Sequence, residues 1–222
     1  LSPLGISIDD STIIYTKGVR PWKPPKIPNW TKNSLMQGLD NLENIEESNV
    51  PVEGLGRFIF EIPDRFTTSK ESLAAEHSIG ILKNWLKKCF EFQMPIIPDK
   101  EAISSLIGMG PGLTPSGDDF LGGMLIASHI CGEKTVKKNL YFQVESLLGS
   151  TGPVSKAHLK SAALGEGSNY LHQVLNMLFK GNDTKFKLAI HAINQIGHTS
   201  GWDALAGVAL VLRQLASNYR TA

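Results

Sequence analysis

The chain has 222 residues, of which 41% are hydrophobic and 19% are charged, and its formal net charge is +1. This is the composition of an ordinary globular protein, long enough to bury a substantial core as one domain or as two small ones. The near-neutral charge gives no support for binding to nucleic acid or to an anionic membrane, and the apolar runs 120–131 and 204–212 are too short to span a bilayer.

The two cysteines, Cys89 and Cys131, are isolated from each other and lack the spacing of metal ligands. We therefore expect buried free thiols in a reducing compartment, and hence a cytoplasmic protein. No signal peptide is visible, but the chain begins at Leu1 rather than at a methionine. We accordingly expect that its start is truncated.

Residues 1–66 are predicted to be rich in β-structure. The segments Gly5–Ile8 and Thr12–Thr16 alternate in polarity around a polar turn, which predicts a hairpin. Arg57–Ile62 is the strongest strand candidate in the chain, and Thr31–Asn44 is the exception, since its leucines have the spacing of a short helix. This part is therefore expected to be a small β-rich unit.

Residues 67–222 show helical periodicity, interrupted by glycine and proline at the expected helix ends. After a first long helix, further helices are predicted over residues 99–106, 119–131, 134–148, 156–164, 169–179, 186–196 and 202–217. The fold class predicted for the whole chain is α+β, with the larger, all-helical part carrying two buried helices packed against each other. Small residues at Gly123 and Gly207 are expected to allow close contact between these two helices.

The first of these buried helices follows a loop dense in glycine and proline. Residues 107–123 read I-G-M-G-P-G-L-T-P-S-G-D-D-F-L-G-G. Glycine permits positive φ and a close approach of the backbone to a ligand, and Thr114 before Pro115 is typical of a helix N-cap. We expect free N–H groups at this helix start to favour a bound anion, although a turn that merely caps a buried helix would look similar.

A related signal precedes the last helix. Residues 116–123 and 200–207 share the pattern S-G-x-D-x-L-x-G, and each copy has a threonine just upstream, Thr114 or Thr199. An internal repeat is the better explanation of this match. The repeat predicts two helix starts that face one pocket.

Familiar catalytic signatures are missing from the sequence. It contains no G-x-S-x-G, no H-E-x-x-H, no C-x-x-C and no Walker A motif. What remains is an anion site beside carboxylates. The residues predicted to bind substrate are Gly110, Gly112, Thr114, Ser116, Gly117, Asp118, Thr199, Ser200 and Gly201.

Asp118, Asp119 and Asp203 would repel an anion bound at this site unless something intervenes. They could hold Mg²⁺, accept hydrogen bonds from substrate amides, or simply complement the helix dipoles. We favour amide recognition for Asp119 and Asp203, and with His198 as an acid–base group these three are the predicted catalytic residues. No cofactor is certain, and Mg²⁺ stays open.

The segments 108–123, 151–167 and 196–207 resemble the family of the third, small subunit of oxamate carbamoyltransferase, from anaerobic allantoin breakdown. The family is otherwise of unknown function, and the resemblance is thin across the first 66 residues. It implies a part in the phosphorolysis of oxalurate to oxamate and carbamoyl phosphate, alongside two larger partner subunits. A free-standing Mg²⁺-dependent phosphotransferase or hydrolase, and a non-catalytic scaffold subunit, are the alternatives.

Overall fold

The computed structural model describes residues 5–7, 13–20, 22–62, 69–181 and 185–218. The helices in these ranges are α1 (Lys32–Glu43), α2 (Lys70–Phe92), α3 (Lys100–Leu106), α4 (Ser116–Ile130), α5 (Lys134–Ser146), α6 (Pro153–Ala163), α7 (Asn169–Lys180), α8 (Phe186–Ile193) and α9 (Ser200–Asn218). Short 3₁₀ turns cover Glu47–Asn49, Gly56–Ile59 and Leu148–Ser150.

The described residues are mostly helical, so the predicted α+β class with a β-rich N-terminal part is wrong. Their strands are limited to β1 (Gly5–Ser7) and β2 (Ile13–Tyr15), which pair antiparallel. The predicted hairpin is thus present, although its turn, residues 8–12, lies outside the described residues.

The strand predicted over residues 57–62 is replaced by the 3₁₀ turn Gly56–Ile59. A strand needs a neighbouring strand to pair its backbone, whereas this segment packs against helix α9. Its N–H groups are instead satisfied within the turn, where Phe58 donates to the carbonyl of Leu55 at 3.0 Å and Phe60 to that of Arg57 at 3.2 Å. The alternation of apolar residues in this segment therefore reflects burial against α9, and not an extended backbone.

The helices predicted from periodicity are present, with ends that differ by a few residues. Helix α1 buries Leu35, Leu39 and Leu42 as predicted, and its first turn is closed by a capping box between Thr31 and Ser34. Helix α6 begins earlier than expected, at Pro153, since its proline suits the first helical position. Caps and periodicity together account for these elements.

Helices α4 and α9 cross at the centre of the molecule in direct backbone contact. A Cβ atom built on Gly123 would lie 1.9 Å from the carbonyl oxygen of Ala204, and one built on Gly207 would lie 2.0 Å from that of Phe120. Neither distance is compatible with a side chain, so each helix requires glycine at its crossing point. The close packing predicted for these two helices is therefore confirmed.

The remaining elements surround this pair and share one apolar core with it. Helix α1 packs against α7 and α9, α2 against α3 and α9, and α6 against α4. Leu35 and Leu55, from the N-terminal part, belong to the same core as Leu121 and Leu205 of the central helices. Among the described residues, no helix is both long and apolar enough to cross a membrane.

We predict that Gly123→Ala lowers the free energy of unfolding by about 1–3 kcal/mol or more, because the added methyl group meets a backbone carbonyl that cannot move aside. The matched control is Gly80→Ala in helix α2, where nothing lies within 4 Å of the added atom. That control should be neutral or stabilising by up to about 1 kcal/mol, since alanine favours helix over glycine. Urea unfolding of both variants measures the difference, and equal effects would contradict the close crossing.

Candidate functional site

The N-terminal ends of α4 and α9 meet, and they bring the two motif turns together. The hydroxyl oxygens of Thr114 and Ser200, 86 positions apart in the chain, lie 3.2 Å from each other. Beneath them lie the buried carboxyl groups of Asp119 and Asp203, which are close enough to interact electrostatically. We call this group of residues, together with Ser116 and Thr199, the motif site.

The two copies of the repeat exchange hydrogen bonds. The carboxyl group of Asp119 is hydrogen-bonded by Thr114 from its own turn and by Ser200 from the other turn. The carboxyl group of Asp203 is bonded in the same way by Thr199 and by Ser116. Each acid therefore depends on both turns, and the motif site exists only where α4 and α9 start side by side.

Backbone N–H groups contribute less to the motif site than the sequence suggested. The N–H groups of Gly117 and Gly201 donate to the carbonyl oxygens of Met109 and Ile196, each at 3.0 Å. Those of the next residues in each helix also donate to carbonyl oxygens: Asp118 and Asp119 to Pro115, and Trp202 and Asp203 to Thr199. The N–H groups of these first-turn residues are therefore not free, and binding of an anion by the glycine loop stays a prediction.

Thr114 does not cap helix α4. The helix begins at Ser116, and Pro115 occupies the N-cap position without a side-chain hydrogen bond. The Thr114 hydroxyl group is instead directed to Ser200 and Asp119. A residue interpreted as a local cap thus makes a contact between the two repeats.

The four predicted site glycines divide into two pairs. Gly110 and Gly112 adopt φ of 108° and 94°, which other residues rarely adopt, and they shape the loop that leads to α4. Gly117 and Gly201 serve packing: their missing side chains leave room for carbonyl oxygens that would lie 1.9 Å and 2.5 Å from a Cβ atom. Glycine is thus required at these last two positions whether or not a ligand binds.

Asp118 is fully buried and is used within the fold. Its Oδ1 accepts the N–H of Gly108 at 2.8 Å, and its Oδ2 accepts the hydroxyl groups of Ser155, at 2.6 Å, and of Thr151. These bonds hold the glycine loop and the start of α6 against α4. Ser155 therefore links α6 to α4 through Asp118.

Asp119 has an exposure of 3%, and its Oδ2 accepts no hydrogen bond from the described residues. Burial raises the pKa of this carboxyl group to about 8, and the charges of Asp203 and Asp118 act in the same direction, while the bonds from Ser200 and Thr114 oppose the shift. Asp119 is therefore mostly protonated at neutral pH and can act as a hydrogen-bond donor.

Asp203 is closed off from solvent by the N-terminal part of the chain. The N–H of Leu55 donates to its Oδ1 at 2.5 Å. Gly54, with φ of 73°, allows this approach, because a Cβ atom at that position would lie 2.5 Å from the same oxygen. Burial raises the pKa of Asp203 to about 6, with a further contribution from Glu71. Sequence reasoning missed Gly54 and Leu55, although the G-L-G at 54–56 is a signal of a close backbone approach.

His158 of helix α6 is a second residue that the sequence interpretation missed. Its Nε2 lies 3.5 Å from Oδ1 of Asp119, and its side chain is 28% exposed. Burial lowers the pKa of the imidazole, so the neutral form is favoured. The signal was its position in the 151–167 segment that resembles the known family.

His198, the predicted acid–base residue, lies at the surface. Its side chain is 80% exposed, and its Nε2 lies 3.6 Å from Oε2 of Glu53. This contact directs it toward solvent at the edge of the motif site, and its role in acid–base chemistry stays a prediction.

A possible metal site and the two cysteines are the remaining sequence-based expectations. Among the described residues, no group of three or more His, Cys, Asp or Glu side chains is arranged to hold a metal ion. Cys89 and Cys131 are free thiols, as predicted, and burial raises the pKa of both.

The comparison with known proteins identifies the segment that builds this site. A family model described as oxamate carbamoyltransferase subunit AllH matches residues 106–212, which contain both motif turns, Asp119, His158 and Asp203. Over this region, which is just under half of the chain, the sequence is similar to the AllH family. The description is that of one subunit of an enzyme, so it implies further subunits. No solved structure matches the chain.

We predict that Asp119→Asn removes a pH dependence of stability. A carboxyl group whose pKa is higher in the folded state stabilises the fold at low pH, and this contribution is lost as the pH rises from about 4 through about 8. The slope is at most about 1.4 kcal/mol per pH unit for one proton. Between pH 6 and 8 the variant should lose this slope, whereas between pH 4 and 6 the slope due to Asp203 should remain.

Urea unfolding at a series of pH values measures this dependence. The control is Asp40→Asn, an exposed position on helix α1, which should keep the wild-type slope. An unchanged slope in Asp119→Asn would show that the acid is ionised in the folded protein at neutral pH.

We predict that Asp118→Ala lowers the free energy of unfolding by about 1–3 kcal/mol, because it leaves a buried N–H and two hydroxyl groups without their acceptor. Thermal or urea unfolding measures the loss, with Asp40→Ala as the exposed control. If Asp118→Ala and Asp40→Ala are equally stable, the bonds from Gly108, Thr151 and Ser155 do not hold the loop and α6 in place.

Proposed function

We propose that this chain acts within a carbamoyl-transferring enzyme of ureide breakdown by binding the small amide substrate, oxalurate, at the motif site. The observation that carries the proposal is the pair of buried acids, each bonded by hydroxyl groups from both motif turns. The similarity of residues 106–212 to the AllH family supports this class of reaction.

The hydroxyl groups form the part of the motif site that a ligand can reach. Thr114, Thr199 and Ser200 are partly exposed, whereas Asp119 and Asp203 lie buried behind them. A ligand would therefore contact the hydroxyl groups, and the acids behind them would set the direction of the hydrogen bonds. This arrangement favours recognition of a molecule with both donors and acceptors.

Protonation of the two acids decides what the hydroxyl groups offer. A protonated Asp119 donates to the hydroxyl group of Thr114 or Ser200, which then donates outward to a carboxylate or carbonyl oxygen of the ligand. The Asp203 carboxyl group, with its lower pKa, is largely ionised at pH 7, so the hydroxyl groups of Ser116 and Thr199 donate to it. The oxygen of the partly exposed Thr199 can then accept an amide N–H.

The different protonation states of Asp119 and Asp203 reduce the repulsion that three neighbouring acids would exert on an anion. The ionised side of the motif site suits amide N–H groups, and the protonated side suits an oxyanion. Oxalurate carries both kinds of group, since it combines a carbamoyl amide with a carboxylate. Asp118, Gly117 and Gly201 have a structural role, as the scaffold alternative would expect, since their contacts lie within the fold.

We predict that Ser200→Ala, in the complex reconstituted with the two larger subunits, reduces kcat/KM for phosphorolysis of oxalurate by roughly 10–100-fold, the effect of losing a hydrogen bond to a charged group. The matched control is Ser104→Ala, an exposed serine of helix α3, which should leave kcat/KM unchanged. Formation of carbamoyl phosphate measures the rate.

Two outcomes would contradict the proposal in different ways. A complex with Ser200→Ala that works at the wild-type rate would favour the non-catalytic scaffold. Absence of phosphorolysis by the wild-type complex would contradict the assigned substrate, and Mg²⁺-dependent turnover of a phosphorylated compound by the isolated chain would favour the phosphotransferase alternative.

A further inference from the structure

The position of His158 results from contacts that the fold maintains. The hydroxyl groups of Thr151 and Ser155 bond to Asp118 and hold the first turn of α6 against α4. His158 follows Ser155 by three residues on the same face of α6, and it therefore reaches Asp119, the next residue of α4. The two acids of the D-D pair thus contact the same helix, one turn apart.

Gly122 leaves the space in which the imidazole lies. A Cβ atom at this position would be 2.8 Å from Nε2 of His158 and 3.3 Å from its Cδ2. Gly122 lies one turn after Asp119 on α4, so any side chain there would push the imidazole away from the carboxyl group. This glycine, unlike Gly123 and Gly207, is not at the crossing of α4 and α9.

Both members of the pair have a polar atom without a hydrogen-bond partner in the described part of the chain. These atoms are Oδ2 of Asp119 and Nε2 of His158. Leaving buried polar atoms unpaired destabilises the fold, and such a cost persists where a group has a task other than stability.

Burial acts on the two groups in opposite directions. It raises the pKa of Asp119 and lowers that of His158, so the carboxylic acid and the neutral imidazole face each other. The charged groups around the pair are Asp118 on α4, Asp203 on α9 and, beside Asp203, Glu71 on α2. At neutral pH the pair accordingly holds one proton that either partner can carry.

We infer that His158 and Asp119 form the proton-exchange pair of this site, a role that rests on the proposed function. The carboxyl group of Asp119 lies within 3.5 Å of Nε2 of His158 and also interacts with the hydroxyl groups of Thr114 and Ser200. A proton that enters at the partly exposed imidazole can therefore leave through a hydroxyl group.

In phosphorolysis one proton must pass from phosphate to the leaving nitrogen, and this pair can carry it. An oxygen of the hydrogen phosphate dianion forms a bond to the carbamoyl carbon of oxalurate, and the bond between that carbon and the nitrogen of the oxamate unit breaks. Nε2 of His158 accepts the proton that phosphate loses, and the Asp119 carboxyl group supplies, through Ser200 or Thr114, the proton that the leaving nitrogen takes up. Transfer of the proton from Nε2 to Asp119 then restores the pair, so no proton is gained or lost.

The first test is the pH dependence of kcat in the reconstituted complex. His158→Gln should lower kcat by roughly 100-fold or more, the usual share of an acid–base group, and should remove one limb of the pH profile while KM changes little. His191→Gln, at an exposed position of α8, should leave both unchanged. An active complex in which His158→Gln keeps its kcat and its profile, or in which His198→Gln loses the limb instead, would overturn the inference.

The second test needs no substrate, so it separates this inference from the proposed function. Nitrogen-15 NMR of the full chain should show that His158 stays neutral at pH values below about 6.5, where an ordinary solvent-exposed imidazole takes up a proton. Asp119→Asn should shift the His158 signals, whereas Asp40→Asn should not. Gly122→Ala, checked for folding by circular dichroism, should move His158 into solvent and return its pKa toward about 6.5. A His158 that titrates at about 6.5 in the wild-type chain would show that the pair does not form.

Discussion

The backbone contact between α4 and α9 is the constraint on which the rest of this structure depends. Gly123 faces the carbonyl oxygen of Ala204, and Gly207 faces that of Phe120. In the repeat S-G-x-D-x-L-x-G these are equivalent positions, the last glycine of one copy and the fifth residue of the other. The crossing therefore has the symmetry of the repeat, and the same symmetry appears in the hydrogen bonds that the two turns exchange.

The electrostatic properties of the site follow from this crossing. Helices that approach so closely leave no room for solvent between their first turns, and a carboxyl group carried by each first turn is consequently buried. Desolvation is the largest cause of the raised pKa of both Asp119 and Asp203. A wider crossing would admit water and would leave two ordinary, ionised acids. The chemistry available at the site is thus a consequence of helix packing.

Patterns local in sequence predicted most of the helical part, whereas contacts between distant segments were the main source of error. Helical spacing and small residues predicted the α4–α9 contact, and the repeat predicted that its two turns meet. The segment 57–62 was misinterpreted because alternation cannot distinguish a strand from a buried turn when its partner, α9, lies 150 residues away. For the same reason, neither the N–H of Leu55 on Asp203 nor the imidazole of His158 beside Asp119 could be read from local pattern.

Two adjacent acids of one helix have different roles because successive helical side chains point about 100° apart. Asp118 points toward the glycine loop and α6, where three donors surround it. Among the described residues, Asp119 contacts hydroxyl groups of both motif turns and the imidazole of His158. The two roles are nevertheless coupled, since the bonds of Asp118 to Thr151 and Ser155 are what place His158 within reach of Asp119. A substitution at Asp118 should therefore disturb the proposed proton exchange at Asp119 as well as stability, even though the bonds of Asp118 lie within the fold.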